Sequence, residues 1–157
     1  MLIRTDIDVL GADHYSRSFK IMADDAEDLS EPLRRIGEHI RLSVGEQFGS
    51  EGTAKGAPWA PLSADYAEWK DIHYPGMPIL VATGNMRRLL LSPSAITVTP
   101  HKMVYDPRSD IWHFHQLGTR FMPARKMVVV RPDDMRQWDR YFHEWINYLR
   151  HRPMGLR

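Results

Sequence analysis

Six large apolar side chains near the C-terminus, Trp138, Tyr141, Phe142, Trp145, Ile146 and Leu149, recur at the spacings of one wide helical face. Such a face has to be buried against a second layer. A matching stripe lies upstream at Leu33, Ile36, Ile40, Val44 and Phe48, after Ser30 as a cap and Pro32 in the first turn. Gly37 and Gly45 interrupt that stripe, each costing about 1 kcal/mol of helix propensity relative to alanine. Glycines there point to close approach of a neighbour.

Between the stripes the period changes. Ile96 and Val98 alternate with Thr97 and Thr99, Pro100 and His101 turn the chain, and Met103 to Tyr105 return as a hairpin partner. Ile3, Thr5, Ile7 and Val9 alternate with Arg4, Asp6 and Asp8, a half-buried strand ended by Gly11. Tyr15, Phe19 and Met22 then follow at helical spacing. Three consecutive valines make Ala124 to Arg131 the strongest strand expectation, buried on both faces. The predicted class is α+β, a small, mainly antiparallel sheet packed against two long helices, with long loops or arms. A length of 157 residues suits one domain, assigned to residues 1–150, with a flexible basic tail at 151–157.

The loops are the informative connections. GSEGTAKGAPWAP runs from Gly49 to Pro61, and HYPGMP from His73 to Pro78. Between them Ser63 can cap a short helix carrying Tyr66, Ala67 and Trp69. After a brief buried segment at Ile79 to Val81, Thr83 can cap another helix, Gly84 to Leu91, with Met86, Leu89 and Leu90 inward. Loops this long in a compact domain usually serve function, and both hold aromatics. They read as arms reaching a neighbouring subunit.

Composition narrows the partners. With 21 basic and 20 acidic side chains the net charge is +1, against the concentrated basic excess of a dedicated nucleic-acid binder. Passing contact with DNA stays open. The absence of cysteine removes disulfides, zinc ribbons and thiol nucleophiles. Charges break up MLIRTDIDVLGADHYSR, so no signal-peptide block is expected, and no apolar run reaches the roughly 18 residues of a membrane helix.

The segment IWHFHQLG, residues 111–118, is the natural place to look for chemistry. His113 and His115 would share a face on a strand and could chelate a metal, with His73 or His101 as a third ligand. On a helix they point about 200° apart. Ser109 as a cap and Gly118 as a stop favour the helix. No HExxH pattern, Gly-x-Ser-x-Gly elbow, P-loop or dinucleotide fingerprint occurs. The acidic group Asp24, Asp25, Glu27 and Asp28 reads as a solvated helix start, and Arg87-Arg88 as an exposed basic pair. The segment therefore reads as an architectural joint. Gly118 supplies a permissive dihedral, Gln116 satisfies buried peptide groups, and Arg125 fixes the turn through an ion pair or a carbonyl.

Several short motifs then occur in order. They are Trp59-Ala-Pro-Leu62-Ser63, Lys70, Ile79-Leu80, Thr83-Gly84-Asn85-Met86, His115-Gln116-Leu117-Gly118 and Pro123-Ala124-Arg125. In this order the chain, from about Leu33 to Leu149, resembles the virion-morphogenesis or tail-completion proteins of tailed bacteriophages, the group of phage Mu protein G. Asp65-Tyr66-Ala67, Met86 and Ile111-Trp112 depart from the usual pattern. The resemblance implies a non-enzymatic structural virion protein without cofactor, assembled in the host cytoplasm. It would act at the head–tail joint as a tail-completion, terminator or neck subunit, in a homo-oligomeric ring of about six with other neck and tail proteins. Closed rings need two different adhesive surfaces on each subunit, and Trp59, Trp69, Tyr74 and Met77 are the candidates for one. The competing readings are a metal-dependent enzyme centred on His113 and His115, and a nucleic-acid-binding module using Arg87, Arg88 and the basic tail.

Overall fold

A computed structural model describes residues 28–151. The expectations for a strand at residues 2–9, a helix after Asp13, the acids Asp24, Asp25 and Glu27, and most of the basic tail lie outside that range. The described chain has five α-helices and one hairpin: α1 (Ser30–Gly49), α2 (Ala64–His73), α3 (Asn85–Leu90), β1 (Ile96–Thr99), β2 (Lys102–Tyr105), α4 (Trp112–Leu117) and α5 (Pro132–His151). The chain is α+β, with the two long helices where the stripes put them. It forms two compact units, each made of separate stretches, and α1 contributes to both.

The first unit holds the opening turns of α1, the hairpin and α5. Strands β1 and β2 pair antiparallel with Ile96 opposite Tyr105 and Thr99 opposite Lys102, leaving Pro100 and His101 as the turn. The alternation places Ile96 and Val98 on the sheltered face and the threonines in solvent. Gly37 permits the packing of α1 on β1: a Cβ there would lie 2.6 Å from Ile96 Cγ2. Leu29 N donates to Pro100 O at 2.8 Å, tying the hairpin turn to the start of α1. Arg35 reaches α5, pairing with Glu144 at 2.7 Å and lying 4.1 Å over the Tyr141 ring. Trp138 and Trp145 bury the face of α5 read from the sequence.

In this unit the cap of α1 differs from expectation. Asp28 Oδ1 accepts from Ser30 N at 2.8 Å, so Asp28 rather than Ser30 serves the first free N–H groups. A hydrogen bond from the Ser30 side chain, foremost among the causes, and then that backbone bond hold the Asp28 carboxyl below its usual pKa.

The second unit spans His39–Ala95 and Pro107–Arg131. Ile40, Val44 and Phe48 of α1 are buried there with Trp59, Val81, Met86, Leu90 and Met127. Gly45 makes only an ordinary contact, 3.6 Å from Leu91 Cδ2, so the close-approach reading holds for Gly37 alone. Gly84, at φ 76°, stands at the N-cap of α3, and Thr83 Oγ1 accepts from Asn85 N at 3.3 Å.

The strand expected at Ala124 to Arg131 is not a strand. The segment bends at Met127 and, among the described residues, has no ladder partner, and several of its polar backbone groups are met by side chains. Lys126 O accepts from Gln47 Nε2 at 3.1 Å and from Trp59 Nε1 at 2.9 Å. Valine-rich composition reports burial, whereas a strand needs a second backbone alongside. Here amide and indole groups take its place.

Candidate functional site

Helix α4 begins after Ile111 rather than at a Ser109 cap, and Gly118 ends it with φ 77°. A Cβ at Gly118 would fall 2.8 Å from Ala124 N, so the chain can turn back tightly only with glycine there. The turn brings Arg125 N to His115 O at 2.6 Å. Gln116 then does what was expected of it: Nε2 donates to Val128 O at 2.7 Å, while Oε1 accepts from Met127 N at 2.9 Å and Val128 N at 3.0 Å. Because 113 and 115 sit on a helix, their rings cannot converge on one ion. Among the described residues no three His, Cys, Asp or Glu side chains form a metal-binding group.

Arg125 fixes the turn through carbonyls. Its Nε donates to Ala60 O at 2.7 Å and Nη2 to Pro61 O at 2.8 Å, although the residue is only 5% exposed. Burial lowers its pKa, with Tyr66 acting weakly in the opposite sense. Lys70, also 5% exposed, donates to the carbonyls of Met77 and Pro78 and so clasps the second loop against the end of α2. Two buried cations thus hold two loops by their backbones. Among the described residues neither has a carboxylate within ion-pair distance.

His115 lies between these elements. Desolvation, followed by the nearby Arg125 charge, lowers its pKa, and its Nδ1 is buried without a hydrogen-bond partner.

These residues line one open cavity of about 730 Å³ within the second unit. Leu62, Lys70, Gly84, His115, Pro123 and Arg125 all border it, and Leu80, Ile111, Phe121 and Met122 add apolar wall. The motif residues, far apart in sequence, therefore converge. Trp59, Gln116 and Gly118 stand behind the lining as supports. Leu80 and Arg108, two of the three non-glycine residues with positive φ among those described, also border it at φ 61° and 49°. Backbone held in that region is uncommon and clusters at functional positions.

The surface candidates divide. Trp59 is a core residue, 6% exposed, with its ring edge-on to Phe48 at 5.3 Å, so the expectation that it presents a face to a neighbour is corrected. Trp69 and Met77 are 44% and 48% exposed, and Tyr74 is half-buried. Trp69 stacks between Tyr66 at 5.5 Å and His73 at 4.4 Å, an aromatic ladder along α2.

Some supports were not read from the sequence. Gln47 is fully buried and bridges Lys126 O to Lys55 N, the latter at 3.1 Å. Its signal was present, since it shares the face of Val44 and Phe48. Glu51 Oε1 accepts from Ile79 N at 2.8 Å, a non-local bond without local signature. Gly52 was also missed: at φ 92°, a Cβ there would lie 2.2 Å from Ala57 O.

Fold and site together define a small α+β protein whose recurrent polar residues hold loops around a cavity by their backbones. The chain belongs to the phage virion morphogenesis family, whose model matches residues 14–146. Neither the curated proteins nor the solved structures contain a match to it. It is thus a phage virion morphogenesis protein, and among the described residues no helix is long and apolar enough to cross a membrane.

Proposed function

We propose that this protein is a non-enzymatic structural subunit of the virion, acting late in assembly at the head–tail joint. There it completes the tail or forms part of the neck as a homo-oligomeric ring, about six subunits being the number the resemblance implies. The observation that carries this reading is the family match over residues 14–146. The site supports it, because the polar motif residues hold backbone carbonyls and amides of the chain's own loops. The exposed ladder around Trp69, with Met77, supplies aromatic surface of the kind that anchors interfaces. A net charge of +1 suits a ring that lets DNA pass, since many phosphate contacts would grip the genome.

The test is removal of the gene from a phage or prophage that carries it, followed by electron microscopy and mass spectrometry of the particles. Unjoined heads and tails, with the wild-type chain found in complete virions, are expected. Normally joined, infectious particles made without it would overturn the reading. Light scattering of the purified chain over a wide concentration range tests the ring separately.

A further inference from the structure

The loop carbonyls account for only part of what Lys70 and Arg125 offer. Lys70 uses two of its three N–H groups on Met77 and Pro78, and Arg125 two of its five on Ala60 and Pro61. Both are nearly fully buried, and carbonyl dipoles do not neutralise a charge. Arg108 adds a third cation to the lining, and Asp110, the only acid among the described lining residues, pairs with neither Lys70 nor Arg125. Apolar wall stands beside this charge at Leu62, Ile111 and Phe121, the last 88% exposed. A ligand that suits both surfaces carries carboxylates next to apolar side chains.

The chain contains such a segment outside the described residues. Residues 21–27 read Ile-Met-Ala-Asp-Asp-Ala-Glu, with three acids within the five residues after two large apolar ones. We propose that the cavity is a socket for this acidic segment of a second copy of the chain, Asp24 and Asp25 meeting the cationic lining and Met22 the apolar wall. Charge complementarity carries the choice of occupant, and a segment lent by each subunit to the next would give the head-to-tail contact that closes a ring. The inference rests on the assembly reading only for the identity of the partner, a copy of the same chain.

Full-length protein with Met22→p-benzoylphenylalanine, mixed with isotopically heavy wild-type chains and irradiated, tests it directly. Cross-links from light to heavy chains are expected, mapping to residues 108–123. Combined Asp24→Asn, Asp25→Asn and Glu27→Gln changes should reduce their yield on the order of ten-fold, as the weak ion pairs with the cationic lining and the surrounding negative charge are lost. Arg108→Glu, at an exposed position, should also weaken them without unfolding the chain, which circular dichroism checks. Cross-links confined to one chain, mapping elsewhere, absent, or indifferent to these charges would overturn the proposal. So would suppression by free glutamate as strong as by an unlabelled peptide of residues 18–30, which would make the cavity a general carboxylate site. Each of these failures leaves the particle experiment untouched, so the two readings can fall separately.

Discussion

The side-chain amide of Gln116 hydrogen-bonds both backbone groups of Val128, donating to its carbonyl at 2.7 Å and accepting from its N–H at 3.0 Å. One side chain thereby stands in for a neighbouring strand.

Gln116→Ala would leave those groups, and Met127 N, without partners in a part-buried setting, and should cost about 2–3 kcal/mol. Gln116→Glu should cost a similar amount, because a carboxylate faces the Val128 carbonyl without a proton to donate. Urea unfolding midpoints measure both. A loss below half a kcal/mol for the alanine variant would show that water replaces the amide.

Gly52 and Gly76 both have positive φ, at 92° and 71°, but only Gly52 is crowded. Gly76→Ala meets nothing within 4 Å and should cost about 1 kcal/mol of backbone strain. Gly52→Ala adds a clash with Ala57 O and the Trp59 backbone, and should cost about 3 kcal/mol or more. Thermal unfolding of the pair separates dihedral strain from collision.

On α1 two glycine substitutions should differ in sign. Gly45→Ala gains helix propensity with only a van der Waals contact to Leu91, and should stabilise by about 0.5–1 kcal/mol. Gly37→Ala drives a methyl against Ile96 Cγ2 and should destabilise by about 1–3 kcal/mol. Equal effects in equilibrium unfolding would contradict the close packing of α1 on β1.

His115 makes stability depend on pH. Its pKa is lowered from 6.5, chiefly by burial, so the unfolded chain binds the proton more readily than the folded one. Its contribution is therefore present above pH 6.5 and is lost as pH falls through the folded-state pKa. His115→Asn should flatten the profile in that window. Asp28 acts in the same direction but in a lower window, because its carboxyl is lowered from 3.8. Unfolding curves at a series of pH values for wild type and His115→Asn make the comparison.

Two tryptophans should separate folding from association. Trp59→Ala removes a core ring and should cost about 3–5 kcal/mol. Trp59→Phe loses the indole bond to Lys126 O and part of the ring volume but keeps an aromatic ring, and should cost less than the alanine variant, about 1–2 kcal/mol. Trp69→Ala should change monomer stability by less than about 1 kcal/mol and weaken self-association by about 2 kcal/mol per interface. Sedimentation at several concentrations reads the second effect.

Periodicity marks which face of an element loses water, and that much was local. The stripes of α1 and α5, the hairpin with its Pro100-His101 turn, the backbone role of Gln116 and the tight turn at Gly118 could all be read along the chain, because each depends on residues a few positions apart. What Ala124 to Arg131 would become could not. Its valines announced burial, but strand or side-chain cradle depended on Gln47 and Trp59, dozens of residues away. For the same reason Trp59 read as loop surface and proved to be core, and Gln47 and Glu51 went unnoticed as supports. The motif order was visible in the sequence, yet only tertiary structure drew Lys70, His115 and Arg125 onto one cavity and left two of them as buried cations with no carboxylate partner among the described residues. Solvent patterning is written locally, whereas the partner of a hydrogen bond or a charge is chosen by contacts that exist only once the chain has folded.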